Sequence, residues 1–187
     1  MTASRPNYIV GIGGSAGGLN AYKALLDTLS SNTGMAFVII AHLLPTANTQ
    51  LAEILSGHTT MEVALASNAM PIKANCVYII PSNADLTIIE NAIFKVVSPR
   101  IRGNNQVDLF LASLADIMGS HAIAIILSGY DGDGSKGCSH IKKHGGTTFA
   151  QDLSAEVNGM PLSALATGCV DFVMPPEKIA EQLHKMT

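Results

Sequence analysis

The stretch that decides the fold is Tyr8–Leu26, "YIVGIGGSAGGLNAYKALL". It opens as a short β-branched run and stops at glycines. From Gly17 to Leu29, apolar residues Leu19, Tyr22, Leu25, Leu26 and Leu29 then recur at helical spacing. Strand, glycine turn and helix make the opening unit of an α/β domain, and two devices overlap in the turn. Gly11, Gly13 and Ala16 fit the dinucleotide spacing G-x-G-x-x-G/A, whereas Gly13, Ser15 and Gly17 fit the nucleophile-elbow spacing G-x-S-x-G.

Outward from that unit the alternation continues. "AFVIIAH" (residues 36–42) is a continuous apolar run, the mark of a strand buried on both faces, and Gln50–Leu55 is a short helical piece stopped near Gly57. "CVYIIPSNADLTIIENAIFKVVS" departs from the pattern. It reads as strands with a turn at Glu90–Asn91, a hairpin at the sheet edge or a small flap. After the polar loop "PRIRGNNQ", residues Val107, Phe110, Leu111, Leu114, Ile117 and Met118 make an amphipathic helix, and "AIAIIL" is another buried strand. The glycine-rich "SGYDGDGSKG", a helix through Ile141, "GTTFAQD", "SALATG", "VDFVM" and a helix after Pro175–Pro176 complete the chain. The expected fold is α/β: a doubly wound, mostly parallel sheet with helices on both faces and a small antiparallel hairpin.

Composition agrees. With 187 residues, 48% hydrophobic and 13% charged, the chain reads as one domain with a sizeable core. A formal net charge of -3 with no basic stripe argues against nucleic acid as partner. Cys76, Cys138 and Cys169 are widely spaced and form no C-x-x-C pair, which suits small buried thiols in a reducing compartment. No long apolar segment marks secretion, and the apolar stretch Met35–Leu44 is interrupted by His42 and too short to span a bilayer. The expectation is a cytoplasmic domain with no membrane insertion.

Ligands of parallel sheets sit at the carboxyl ends of the strands. Ser15, His42, and Asp131 with Asp133 all follow predicted strands. A dinucleotide site needs Asp or Glu closing the second strand, and His42 stands there instead. An imidazole is a poor ribose clamp and a good general base. A serine hydroxyl is a weak nucleophile until such a base takes its proton, and the base needs a third group to fix its tautomer. Ser15, His42 and an aspartate of "YDGDG" supply that set. Each has a plainer role: Ser15 as a helix N-cap, His42 as a satisfied strand-end histidine, the aspartates as turn formers. "DGDG" lacks the remaining ligands and closing Glu of a calcium loop. Together, at corresponding strand ends, these residues favour the triad. The other histidines show no metal-ligand spacing with a carboxylate; His140 and His144 are i,i+4 but read "HIKKH", without the glutamate of H-E-x-x-H. No metal and no cofactor is expected.

Several segments in order carry a resemblance: "VGIGGSAGGLNAYKALL", "AFVIIAHLLP", "VYIIPSNADLTI", "VDLFLASLA", "LSGYDGDGSKG", "AQD" and "NGMPLSALATG". Together they resemble the catalytic domain of bacterial chemotaxis protein-glutamate methylesterases, from about Tyr8 to the C-terminal helix. "GGSAGGL…AH" with "MPLSALATGCVDFVMPP" is most similar to the methylesterase domains fused to a methyltransferase. The resemblance implies hydrolysis of γ-glutamyl methyl esters on the cytoplasmic helices of chemoreceptors or a related methylated signalling protein, with release of methanol, and deamidation of glutamines there. It implies Ser15 as nucleophile, His42 as general base and Asp133 as orienting carboxylate. Ala16 stands where threonine is frequent, leaving its backbone N–H as oxyanion donor, and Tyr130 stands where methionine is common, near the leaving group. Asp131 adds a carboxylate that the family pattern lacks. Arg100 and Arg102 are expected to help dock an acidic receptor helix. The family's usual chemotaxis member carries an N-terminal receiver domain. Here the first strand begins within a few residues of the start, so residues 1–187 read as a single catalytic domain, excised or standalone. A non-enzymatic signalling module on the same fold and a small-molecule carboxylesterase are the alternatives.

Overall fold

Strands that carry apolar residues on both faces can be covered only if helices lie above and below the sheet. The computed structural model, which describes residues 4–42, 48–101 and 103–187, has that arrangement. The strands are β1 (Ile9–Gly14), β2 (Ala36–Ala41), β3 (Glu62–Leu65), β4 (Cys76–Ile79), β5 (Asp85–Ile89), β6 (Ile93–Val97), β7 (Ala122–Ile126), β8 (Thr147–Gln151) and β9 (Phe172–Met174). The helices are α1 (Gly18–Thr28), α2 (Asn48–Ser56), α3 (Gln106–Met118), α4 (Ser135–Lys143), α5 (Gly159–Ala166) and α6 (Pro176–His184).

Seven strands form one parallel sheet in the order β3-β4-β2-β1-β7-β8-β9. Every residue of β1, β2 and β7 is buried, as their unbroken apolar runs require. One face of the sheet carries Ile9, Val38, Ile40 and Ile126 against α3, α4 and α5. The other carries Val10, Ile12, Phe37, Ile39 and Ile125 against α1, α2 and α6. Each fully buried side chain of this size is worth roughly 1.5–3 kcal/mol, so the two cores are the principal source of stability. The chain turns from β1 toward β2 on one side and from β7 toward β8 on the other. The gap between β1 and β7 is therefore the topological switch point, where a ligand crevice opens.

The segment expected to hold strands and a hairpin or flap divides between two sheets. β4 belongs to the main sheet, paired with both β2 and β3. β5 and β6 form the expected antiparallel hairpin about Glu90–Asn91, and of the two placements it takes that of a small flap, packed over α3. Its connection is tight because Asn91 and Ala92 adopt φ of 65° and 55°. The edge strand β3 was not anticipated: four residues long and partly exposed, it offers no apolar run to read.

The glycines at 11 and 13 owe their place to α3. A Cβ on Gly11 would lie 2.6 Å from Leu111 Cδ2, and one on Gly13 would lie 2.6 Å from Val107 Cγ1. Being two apart on a strand, both face the same side, so α3 settles directly onto the β1 backbone. The G-x-G spacing here admits a helix, and that close approach carries the start of α3 toward the switch point.

Candidate active site

Ser15 follows β1 and closes the sheet at its carboxyl end. Its N–H donates to Ser128 O just beyond β7 (2.8 Å), while the His42 N–H, just beyond β2, donates to Gly14 O (3.1 Å). Gly14 pairs with Ala41 in the β1–β2 register, so Ser15 and His42 leave adjacent strands side by side. The elbow is braced from behind by Ser128, whose hydroxyl donates to Ala16 O at 2.7 Å and accepts the Val157 N–H at 2.9 Å.

Ser15 is not a helix cap. The N-cap of α1 is Gly17, in the left-handed region, and no side chain caps that helix. Among the described residues Ser15 Oγ makes no hydrogen bond, and the Ala16 N–H is likewise without an acceptor. The hydroxyl rests against Gly129, where an added Cβ would stand only 2.5 Å away and would also collide with Met160 Sδ. The site thus presents an uncommitted hydroxyl beside uncommitted N–H donors at a helix N-terminus, which carries partial positive charge.

His42 lies between two carboxylates. Its Nε2 is 2.6 Å from Asp133 Oδ2, and its Nδ1 is 3.3 Å from Asp131 Oδ2. The Asp133 side chain is fully buried, and both of its oxygens are engaged: Oδ2 accepts the Val107 N–H (2.9 Å) and Oδ1 the Asp108 N–H (2.8 Å). An ionised carboxylate only accepts, so His42 donates Nε2–H to it. In the neutral ring Nδ1 then holds the lone pair. The pKa of His42 is raised above its ordinary 6.5, first by the hydrogen bond to Asp133 and then by the charges of Asp133 and Asp131, against opposing effects of burial and Arg100.

The loop that presents Asp133 is fixed by an exchange of caps. Asp133, which precedes α4, caps the first turn of α3, and Asp108, in that first turn, returns Oδ1 to the N–H groups of Gly134 (2.9 Å) and Gly137 (2.7 Å) at the start of α4. The N-cap residues themselves, Asn105 and Gly134, make no side-chain capping bond. Burial of Asp108 raises its carboxyl pKa, with the two backbone donors opposing the rise. Asp131 contributes a turn as well, its Oδ1 accepting the Asp133 N–H at 3.0 Å.

The structure therefore gathers Ser15, His42 and Asp133 at the carboxyl ends of β1, β2 and β7, with Asp131 as a fourth member. Tyr130 stands beside them on the loop after β7 and is 76% exposed. Arg100 lines a small pocket with His42, Ser82, Asn83 and Gln106; Arg102 lies outside the described residues. Reading the sequence missed Asp108 and Ser128. The only signal for Asp108 was an acidic residue in the first turn of a helix, where a plain dipole role would have been the natural reading. Cys76 and Cys138 are buried free thiols and Cys169 is half-buried. No helix among the described residues is long and apolar enough to cross a membrane.

Comparison with known proteins agrees with this geometry. A family model described as CheB methylesterase matches residues 10–183. A putative protein-glutamate methylesterase/protein-glutamine glutaminase of Leptospira interrogans is 34% identical over 173 residues, covering 91% of this chain and 90% of that protein. The protein-glutamate methylesterase/protein-glutamine glutaminase of Thermotoga maritima is 34% identical over 195 residues, covering 100% of this chain and 57% of that protein. The crystal structure of the Thermotoga maritima CheB methylesterase catalytic domain superposes with a TM-score of 0.88 at 31% identity, covering 96% of this chain and 98% of that one. With its whole fold and nearly its whole length matched, the chain belongs to the CheB methylesterase family.

Proposed function

We propose that this chain is a serine esterase that removes methyl groups from glutamyl methyl esters on chemoreceptor helices, or on a related methylated signalling protein, and deamidates glutamines there. The observation that carries this reading is the state of His42. Its Nε2–H is committed to a buried, fully bonded carboxylate, which leaves Nδ1 as the basic nitrogen at the strand end next to Ser15.

In this mechanism Nδ1 takes the Ser15 hydroxyl proton as Oγ forms a bond to the ester carbonyl carbon. Asp133 holds the tautomer and stabilises the imidazolium that results. The Ala16 N–H, with the exposed N–H groups of the first turn of α1, receives the negative charge that develops on the carbonyl oxygen. His42 then returns the proton to the departing methoxide, and methanol leaves. Water attacks the acyl-enzyme with Nδ1 again as base, releasing the glutamate carboxylate and restoring Ser15. A glutamine follows the same path with ammonia as leaving group. One acyl-enzyme route with two leaving groups fits the double name of the relatives. In this reading Tyr130, exposed on the loop after β7, meets the substrate helix near the leaving group.

Mass spectrometry of methyl-esterified receptor peptides incubated with the purified chain tests this reading. It predicts conversion of esters to free acids with matching release of methanol. Esters that survive intact, while a small activated ester is hydrolysed, would move the activity to small-molecule substrates.

A further inference from the structure

Away from the strand ends, among the described residues, Asp116, His140 and His144 form the one other cluster of potential metal ligands. Asp116 lies near the carboxyl end of α3 and the two histidines at the carboxyl end of α4. From Val107, beside Asp133, to Asp116 is nine residues of helix, roughly 13 Å at 1.5 Å per residue. The cluster is thus separate from the triad.

The chemistry of the cluster is specific. His140 and His144 are one helical turn apart, and their rings stack at 14° with centroids 5.3 Å apart. His144 Nδ1 is 2.9 Å from His140 O. A carbonyl only accepts, so Nδ1 carries the proton and the neutral ring keeps a bare lone pair on Nε2. That Nε2 is 3.4 Å from Asp116 Oδ1, and His140 Nε2 is 3.9 Å from the same oxygen. In that tautomer the Nε2 lone pair and the carboxylate oxygen converge on one space, which a cation can share. A tetrahedral ion with ligand bonds of about 2.0–2.2 Å holds its donors roughly 3.3–3.6 Å apart; the His144–Asp116 pair already has that spacing, and all three donor atoms lie within 4.8 Å of one another. A ring nitrogen that donates to a backbone carbonyl while its other nitrogen faces outward is also the usual outer support of a metal-bound histidine. All three side chains reach solvent, so an ion can enter and the exposed side chains can close on it.

We propose that Asp116, His140 and His144 bind one zinc-class divalent ion across the carboxyl ends of α3 and α4, with water completing its coordination. Two imidazoles and one carboxylate select a borderline transition ion over magnesium or calcium, which prefer all-oxygen sites. The bound ion ties together two helices that are already joined at their amino ends through Asp108 and Asp133.

Isothermal titration of the tag-free chain with zinc chloride, beside magnesium chloride, tests the proposal. It predicts one zinc per chain, no magnesium heat, and a higher thermal midpoint with zinc present, since an ion that binds only the folded state stabilises it. His144→Ala, His140→Ala and Asp116→Asn, all at exposed positions, should each weaken zinc at least tenfold and abolish the thermal shift while leaving circular dichroism unchanged. The absence of a one-to-one zinc isotherm would overturn the proposal. So would zinc binding of undiminished affinity in the triple variant, which would place the ion elsewhere.

Discussion

Asp133 and Asp131 both face His42, and their unequal burial predicts different roles for them in the proposed triad. Asp133 is fully buried with each oxygen bonded, whereas the Asp131 side chain is 41% exposed and pairs with the ring at the longer distance. Losing the buried carboxylate of a triad can cost about 10,000-fold in turnover. Asp133→Asn should approach that loss in kcat with circular dichroism unchanged. Asp131→Asn should alter kcat by less than about tenfold, roughly 1.4 kcal/mol; the reverse ranking in steady-state kinetics would transfer the orienting role to Asp131. The pH profile separates them further. His42 must be neutral to act as base, and its pKa is raised, so kcat/KM should fall with decreasing pH through a value above 6.5. Removing the Asp131 charge takes away one cause of the rise, so the acid limb of Asp131→Asn should move to lower pH. An unmoved limb would remove Asp131 from the electrostatics of the base. Both aspartates were legible in the sequence as loop carboxylates at a strand end. Spacing alone does not divide their labour, because burial depends on where α3 arrives; the choice of Asp133 as orienting carboxylate came from the family resemblance.

At the scale of elements, β1, β2 and β7 could be read directly because strands buried on both faces leave unbroken apolar runs. β3 could not, because four partly exposed residues carry too little pattern. β4 reads as a strand, but pattern alone does not say that it pairs within the main sheet. The exchange of caps between α3 and α4 was equally hidden, since it joins residues 25 to 29 positions apart. It nevertheless fixes the loop that carries Asp133. Removing a cap costs typically about 1 kcal/mol, which for a domain of this size lowers the thermal midpoint by roughly 2–4 °C. Asp108→Ala should show that shift in a calorimetric scan and should also lower kcat, because Asp133 loses the frame that aims it at His42. A normal kcat alongside the lowered midpoint would mean that the loop is held independently of Asp108.

For the whole molecule, seven parallel strands place Ser15, His42 and Asp133 at the carboxyl end of the sheet, and the switch point between β1 and β7 lies there. The chain is sparsely charged and carries a net charge of -3, so a cation in the pocket beside His42 stands out to an acidic partner. Arg100 is such a cation. Arg100→Glu should raise KM for an acidic receptor fragment and change its salt dependence, while sparing kcat on a small ester, assayed above the His42 pKa so that the base stays neutral. Equal losses on both substrates would assign Arg100 to the chemistry or the fold instead. The central claim is that Ser15 is the nucleophile, and one measurement tests it most directly: methanol released from a methyl-esterified receptor peptide by Ser15→Ala, beside the unaltered chain. The account predicts release at the uncatalysed rate with the circular dichroism spectrum unchanged; release at the unaltered chain's rate would contradict it.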